Sequence, residues 1–207
     1  MEQMDIIFNE FNVTNLEELE CYIIKKHARL THKKNTLKLT DYELFFKQHV
    51  FIYFITFLQS NNLKKIKQPL LIIYTILFRQ YKVKTLLVPI LLSNELELLS
   101  KLFHYNCSLD LWVNIGPFLK EIIRDKSIVK GIFTSSVDKC QKLMTLLFNS
   151  INKCEQFDIT AHHVELLTYL LTKHHILAVE FLISHFEYIS QHFITLINSD
   201  IYIIQLQ

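Results

Sequence analysis

Glycine is almost missing from this chain. Gly116 and Gly131 stand alone among 207 residues, with three prolines beside them. Sandwiches and barrels need a turn residue every ~8–12 positions, so this scarcity argues against them. It also removes phosphate-cradling loops, because the two glycines are too far apart for G-x-G-x-x-G or a Walker-type turn. Cysteine is sparse as well: Cys21, Cys107, Cys140 and Cys154, with no C-x-x-C pair. The chain opens on Glu2 and Asp5, not on a basic and then apolar leader. Reduced thiols in an intracellular, cytoplasmic protein are expected. The longest apolar runs are "VFIYFITFL" (50–58) and "LLIIYTILF" (70–78). Both fall well short of the ~20 residues that a membrane helix needs.

What the chain does hold is apolar residues at helical spacing; half of its residues are hydrophobic. "NVTNLEELECYIIKKHARL" has a helix start at Thr14 or Asn15, with Glu17 and Glu18 placed to suit the helix dipole. "THKKNT" (31–36) reads as the loop after it. Asp41 opens the helical run "DYELFFKQHVFIYFITFLQ", and Pro69 stands where the next helix would begin. Pro89 interrupts or kinks "KTLLVPILLSN". Helical blocks of ~9–18 residues follow, and the terminal "DIYIIQLQ" fits either a frayed helix or a strand.

Two blocks look like copies of one unit. "TLLVPILLSNELELLSKLFHY" (85–105) and "ELLTYLLTKHHILAVEFLISHF" (165–186) each run from an apolar helix through a short polar turn into a second apolar helix. Helical hairpins that stack on their neighbours are the unit of an α-solenoid. The fold expected is therefore all-α, an α-solenoid of stacked antiparallel helical hairpins with about eight to eleven helices. Residues 1–39 form a polar N-terminal helix or arm, and 40–207 the hairpin-repeat domain. Leu86, Leu91, Leu98, Leu102, Leu167, Leu170, Leu171, Leu177, Val179 and Leu182 are expected in the core.

Chemistry is hard to find. His162, His163, His174, His175, His185 and His192 lie close together in sequence, but only His162 and Glu165 share a helix-face spacing. Neighbours such as His174-His175 point about 100° apart on a helix, and zinc needs converging ligands. The His174-His175 pair reads as the hinge of a hairpin. No catalytic residue, cofactor site or metal site is assigned, and the chain is read as not an enzyme.

Charge is the stronger signal. Residues 1–20 carry six acids and no Lys or Arg, whereas residues 21–84 carry thirteen Lys/Arg against Asp41 and Glu43. Lys25, Lys26, Arg29, Lys33, Lys34, Lys64, Lys65 and Lys67 are the candidate basic interaction surface. Such a surface attracts an acidic protein, an anionic membrane or, less readily, nucleic acid. The acidic 1–20 segment is a rival occupant, able to fold back and neutralise it.

"ELLTYLLTKHHILAVEFLI" (165–183) resembles the C-terminal helical, Mic-type domain of the regulator subunit of the Mon–Ccz exchange complex. The likeness rests on Leu170-Leu171 closing one helix, the Thr172-Lys173-His174 turn, and Leu177-Ala178 opening the next. "KCQKLMTLLFNS" (139–150), residues 83–110 and residues 40–63 are similar to that domain's other helices in the same order. The resemblance implies a non-enzymatic scaffold subunit that supports Rab GTPase activation in late endosome and lysosome trafficking and autophagy. Its partner would be a Rab exchange-factor complex and its place the late endosomal surface. Residues 85–110 and 165–186 also resemble ankyrin-like repeats, which implies an interaction module, of the kind a large DNA virus turns on host proteins. A nucleic-acid-binding helical protein using 25–84 is the third reading.

Overall fold

The computed structural model describes residues 2–32, 37–58, 64–90, 109–134, 164–166, 168–172, 175–184, 186–187, 190–191 and 194. Every regular element among them is helical. The chain forms two compact units, Met1–Leu98 and Leu99–Gln207.

In the first unit, α1 (Glu2–Phe11) and α2 (Leu16–Thr31) precede a 3-10 helix (Leu39–Phe46). α3 (Gln48–Leu58), α4 (Lys64–Phe78) and α5 (Tyr81–Ile90) follow. With so little glycine, the chain turns by other means. Asn12 takes φ 50°, the left-handed conformation that asparagine tolerates better than most side chains. Its N–H donates to the Asn9 carbonyl at 3.1 Å and that of Val13 to Phe8 at 2.9 Å. This paired pattern is a Schellman cap, with asparagine where glycine is usual. Three residues on, the Asn15 side chain accepts the Glu18 N–H at 3.0 Å and caps α2. Glu18 reaches back to accept the Thr14 N–H at 2.7 Å, so the cap is reciprocal.

Residues 1–39, set apart in the sequence by polarity, supply Ile7, Phe11, Leu19 and Ile23 to the buried interior of this unit. An aromatic cluster joins them to the following elements. Phe11 meets Tyr22 and Phe45 edge-on, with centroids 5.2 and 5.6 Å away. Phe45 and Phe54 stack at 6.1 Å, and Tyr74 meets Phe51 edge-on at 5.1 Å. Edge-to-face and offset pairs at these separations add to the area they bury. The Tyr74 hydroxyl, fully buried, donates to the Phe45 carbonyl at 3.2 Å.

The single helix expected from Asp41 is two elements. A 3-10 turn eclipses side chains three apart, which aligns Tyr42 and Phe45, both buried. Lys47, with φ −64° and ψ 131°, separates that turn from α3. Pro69 also departs from expectation, for it lies inside α4. It forgoes the hydrogen bond that its N–H would have made to Lys65.

In the second unit, α6 (Leu109–Ile123) and α7 (Lys126–Thr134) are followed by helical residues at 164–166 and 168–172, then α8 (His175–Ser184). Ile115, Phe118, Leu119 and Ile122 make a buried stripe at i, i+3, i+4 and i+7 of α6. Asp125 caps α7, its Oδ1 accepting the Ser127 N–H at 2.9 Å. α7 packs against both α6 and α8.

Of the residues expected in the core, Leu170 is buried and Leu171 half-buried. Leu86 and Val179 are not core residues; they are 55% and 49% exposed. In α5, Leu86, Leu87 and Val88 are consecutive, and consecutive side chains diverge by about 100°. Leu87 and Val88 turn inward with Val83 and Ile90, which leaves Leu86 outside. Leu91, Leu98, Leu102 and Leu167 lie outside the described residues, as do the side chains of Leu177 and Leu182.

Candidate interaction surface

α2 and α4, which carry the basic residues of two sequence stretches about forty residues apart, pack on each other. Lys25 and Arg29 on α2, and Lys64 and Lys65 on α4, are exposed. Lys33 and Lys34 lie outside the described residues.

Lys67 does not belong to that surface. It is 7% exposed, and the helix explains why. Positions 67, 70, 71 and 74 fall on one side of α4, and Leu70, Leu71 and Tyr74 form its inward face. The run "KKIK" looks like one basic block in sequence, yet a helix sends its lysines to different sides.

Lys26 has a structural task. Its ammonium donates to the Asp41 carbonyl at 2.6 Å and lies 5.4 Å from the ring centroids of both Tyr22 and Tyr42. The Tyr42 hydroxyl returns a hydrogen bond to the Lys26 carbonyl at 3.1 Å. Burial, and then the Asp41 charge, raise both phenols above their ordinary range. Lys26 thus ties α2 to the 3-10 helix by a charge-assisted hydrogen bond between two ring faces.

The acidic segment partly covers the basic one. Glu20 pairs with Lys65 at 3.3 Å. Glu10 pairs with Lys47 at 2.5 Å and with His49 at 2.9 Å. The Lys47 hydrogen bond lowers the Glu10 carboxyl below its ordinary value; partial burial opposes this, and His49 adds to it. The sequence showed that acids and bases were segregated, but not which would meet.

The second unit holds an open hollow of about 420 Å³ lined by Lys120, Glu165, Thr168, Tyr169 and Thr172. Its two charges are paired, Lys120 with Glu165, and the ammonium also lies 6.0 Å from the Tyr169 ring centroid. Beside it, the buried Glu121 pairs with Arg124 at 2.5 Å. Hydroxyls and paired charges offer neither a nucleophile with a base nor a ligand set. Among the described residues, no three His, Cys, Asp or Glu converge as metal ligands. No described helix is long and apolar enough to cross a membrane. His162, His163, His174, His185 and His192 lie outside the described residues; His175 opens α8.

Sequence reasoning missed one surface altogether. Ile176, Val179 and Ile183 share a face of α8 and are exposed. The available signal was Glu180, the one acid of α8, set inside the run 176–183 that is otherwise apolar.

A family model, described as Mo25-like, matches residues 9–207. The chain belongs to the Mo25-like family. Mo25-like proteins are helical, armadillo- or HEAT-like scaffolds, and the α-solenoid class expected from the hairpin pattern holds. The Mic-type resemblance is not confirmed by this match, which also spans both segments that resemble ankyrin repeats. What the Mo25-like and Mic-type assignments share is a scaffold of stacked helices. No curated protein matches the chain closely enough to count as a relative.

Proposed function

We propose that this Mo25-like chain is a non-enzymatic protein-interaction scaffold, and that an acidic partner docks on the exposed basic residues of α2 and α4. The observation that carries the docking face is the packing of these two helices, with Lys25, Arg29, Lys64 and Lys65 all exposed. Long-range attraction to such a face is screened over ~8–10 Å in physiological salt, so it acts mainly on the rate of encounter. Glu20 competes for Lys65 and sets a threshold that a partner must exceed.

The test is affinity capture with the full chain, comparing the native protein with the Lys25→Glu, Arg29→Glu, Lys64→Glu variant. A protein retained by the native chain and lost by the variant, with slower association at low salt, is the expected result. Retention by both leaves the scaffold and removes the basic face. Retention by neither removes the scaffold. Salt-sensitive binding to nucleic acid or to anionic vesicles, lost in the variant, replaces the acidic protein with that ligand. The cellular setting in this proposal is support of a Rab exchange-factor complex at the late endosome or lysosome. It rests on the Mic-type resemblance, strongest over residues 165–183, and recovery of such a complex in the capture is its test.

A further inference from the structure

α8 carries an apolar row that faces solvent. Ile176, Val179 and Ile183 are 64%, 49% and 74% exposed, and Phe186, also helical, is 69% exposed. Three large apolar side chains in one row of α8, with Phe186 exposed beyond its end, are unlike the single exposed hydrophobics that any protein surface shows. The spacing of three and four from Ile176 through Val179 to Ile183 is that of the a and d positions of a heptad. Glu180, exposed, then falls at an e position, one turn along from Ile176, and Glu187, also exposed, lies beyond the end of α8. Residues 175–187 contain no Lys or Arg. The face is therefore an apolar seam with acid along one edge, while α7 packs against α8.

We propose that this seam docks an amphipathic helix of another protein, one that presents apolar residues at heptad spacing flanked by Lys or Arg. Charge selects this occupant over two others. A second copy of α8 would bring apolar residues but no base to meet Glu180 and Glu187. An anionic membrane would meet the same two carboxylates with like charge. A basic-flanked helix satisfies both, because e-position acids pair with bases that flank the partner's apolar seam. The proposal deepens the scaffold reading by adding a surface of opposite sign to the α2 and α4 face, and its test does not involve that face.

The experiment uses the full chain and two synthetic helices of about three heptads, with identical apolar a and d residues and either Lys or Glu at the flanks. Binding is followed by fluorescence anisotropy. The Lys-flanked helix is expected to bind at least about tenfold more tightly than the Glu-flanked one. Ile183→Asp should abolish that binding, and Glu180→Lys with Glu187→Lys should reverse the preference. These side chains are exposed, so circular dichroism should show each variant folded. Equal binding of the two helices, no binding of either, or an unchanged preference in the double variant overturns the proposal. So does concentration-dependent self-association that Ile183→Asp removes, which would make a second copy the occupant. Binding to vesicles of phosphatidylcholine and phosphatidylserine that Ile183→Asp removes overturns it in favour of a membrane.

Discussion

α4 and α8 are both rich in large apolar side chains, and they use them in opposite ways. In α4, Leu70, Leu71, Tyr74, Leu77 and Phe78 are all buried, and Tyr74 meets Phe45, Phe51 and Phe54. In α8, Ile176, Val179 and Ile183 stand out in solvent. Apolar density alone does not separate the two. The difference lies in where the charges sit. α4 gathers Lys64, Lys65 and Lys67 in its first turn, and its apolar stretch then runs without a charge to Phe78. α8 sets Glu180 in the middle of its apolar stretch. A charge that is not paired or solvated is expensive to bury, so a charge in mid-helix marks a side that must face water or a partner of opposite sign.

The largest effect should come from truncating the shared aromatic cluster. Tyr74→Ala removes a ring that touches three others and is expected to cost about 3–5 kcal/mol in urea unfolding. A loss under about 1 kcal/mol would mean that the first unit is not held by that cluster. Tyr74→Phe isolates the hydroxyl. It leaves the Phe45 carbonyl without its donor and should cost about 1 kcal/mol.

Glu10 offers a smaller effect with a signature in pH. Its carboxyl titrates lower in the folded chain than in the unfolded one, chiefly through the Lys47 hydrogen bond. Its contribution is therefore complete above the ordinary carboxylate range and fades as pH falls through the lowered folded value. Glu10→Gln should cost about 0.2–1 kcal/mol at neutral pH and flatten the acid limb of a stability–pH profile. A variant with the native limb would show that the contact of Glu10 with Lys47 and His49 adds nothing.

The smallest effect belongs to α8. Val179→Ser and Ile183→Ser, at exposed positions, should change stability by less than about 0.5 kcal/mol. A loss of 2 kcal/mol or more, the range of a truncated core residue, would erase the contrast with α4 and show that the row is packed within the chain.

These contrasts also show how far the sequence could be read. The helical class followed from glycine scarcity and apolar spacing, both properties of the chain at short range. The Asn15 cap was equally local, since its hydrogen bond spans three residues. The break at Lys47 was missed because the 3-10 turn is fixed by the need to bury Tyr42 and Phe45 together, and that need arises from packing. Glu10 and Lys47 are thirty-seven positions apart, and nothing in their neighbourhoods announces the pairing. Lys67 and Val179 failed in mirror image: a lysine assigned to the surface is buried, and a valine assigned to the core is exposed. In each, composition suggested the side and tertiary contact decided it.

The aromatic cluster of the first unit has a consequence in time. Phe11 packs against Phe45 and Phe54, and Phe45 against Tyr74. As a chain grows from the ribosome, α1 therefore has no complete site to settle into until α4 has emerged. Rings this far apart in sequence must close long loops before they gain any contact energy. α1 and α2 would leave the exit tunnel as an acidic, half-formed pair awaiting the 3-10 helix and α4. Once Tyr74 and Phe78 arrive, the unit ending at Leu98 has its buried rings and can close while the second unit is still being made.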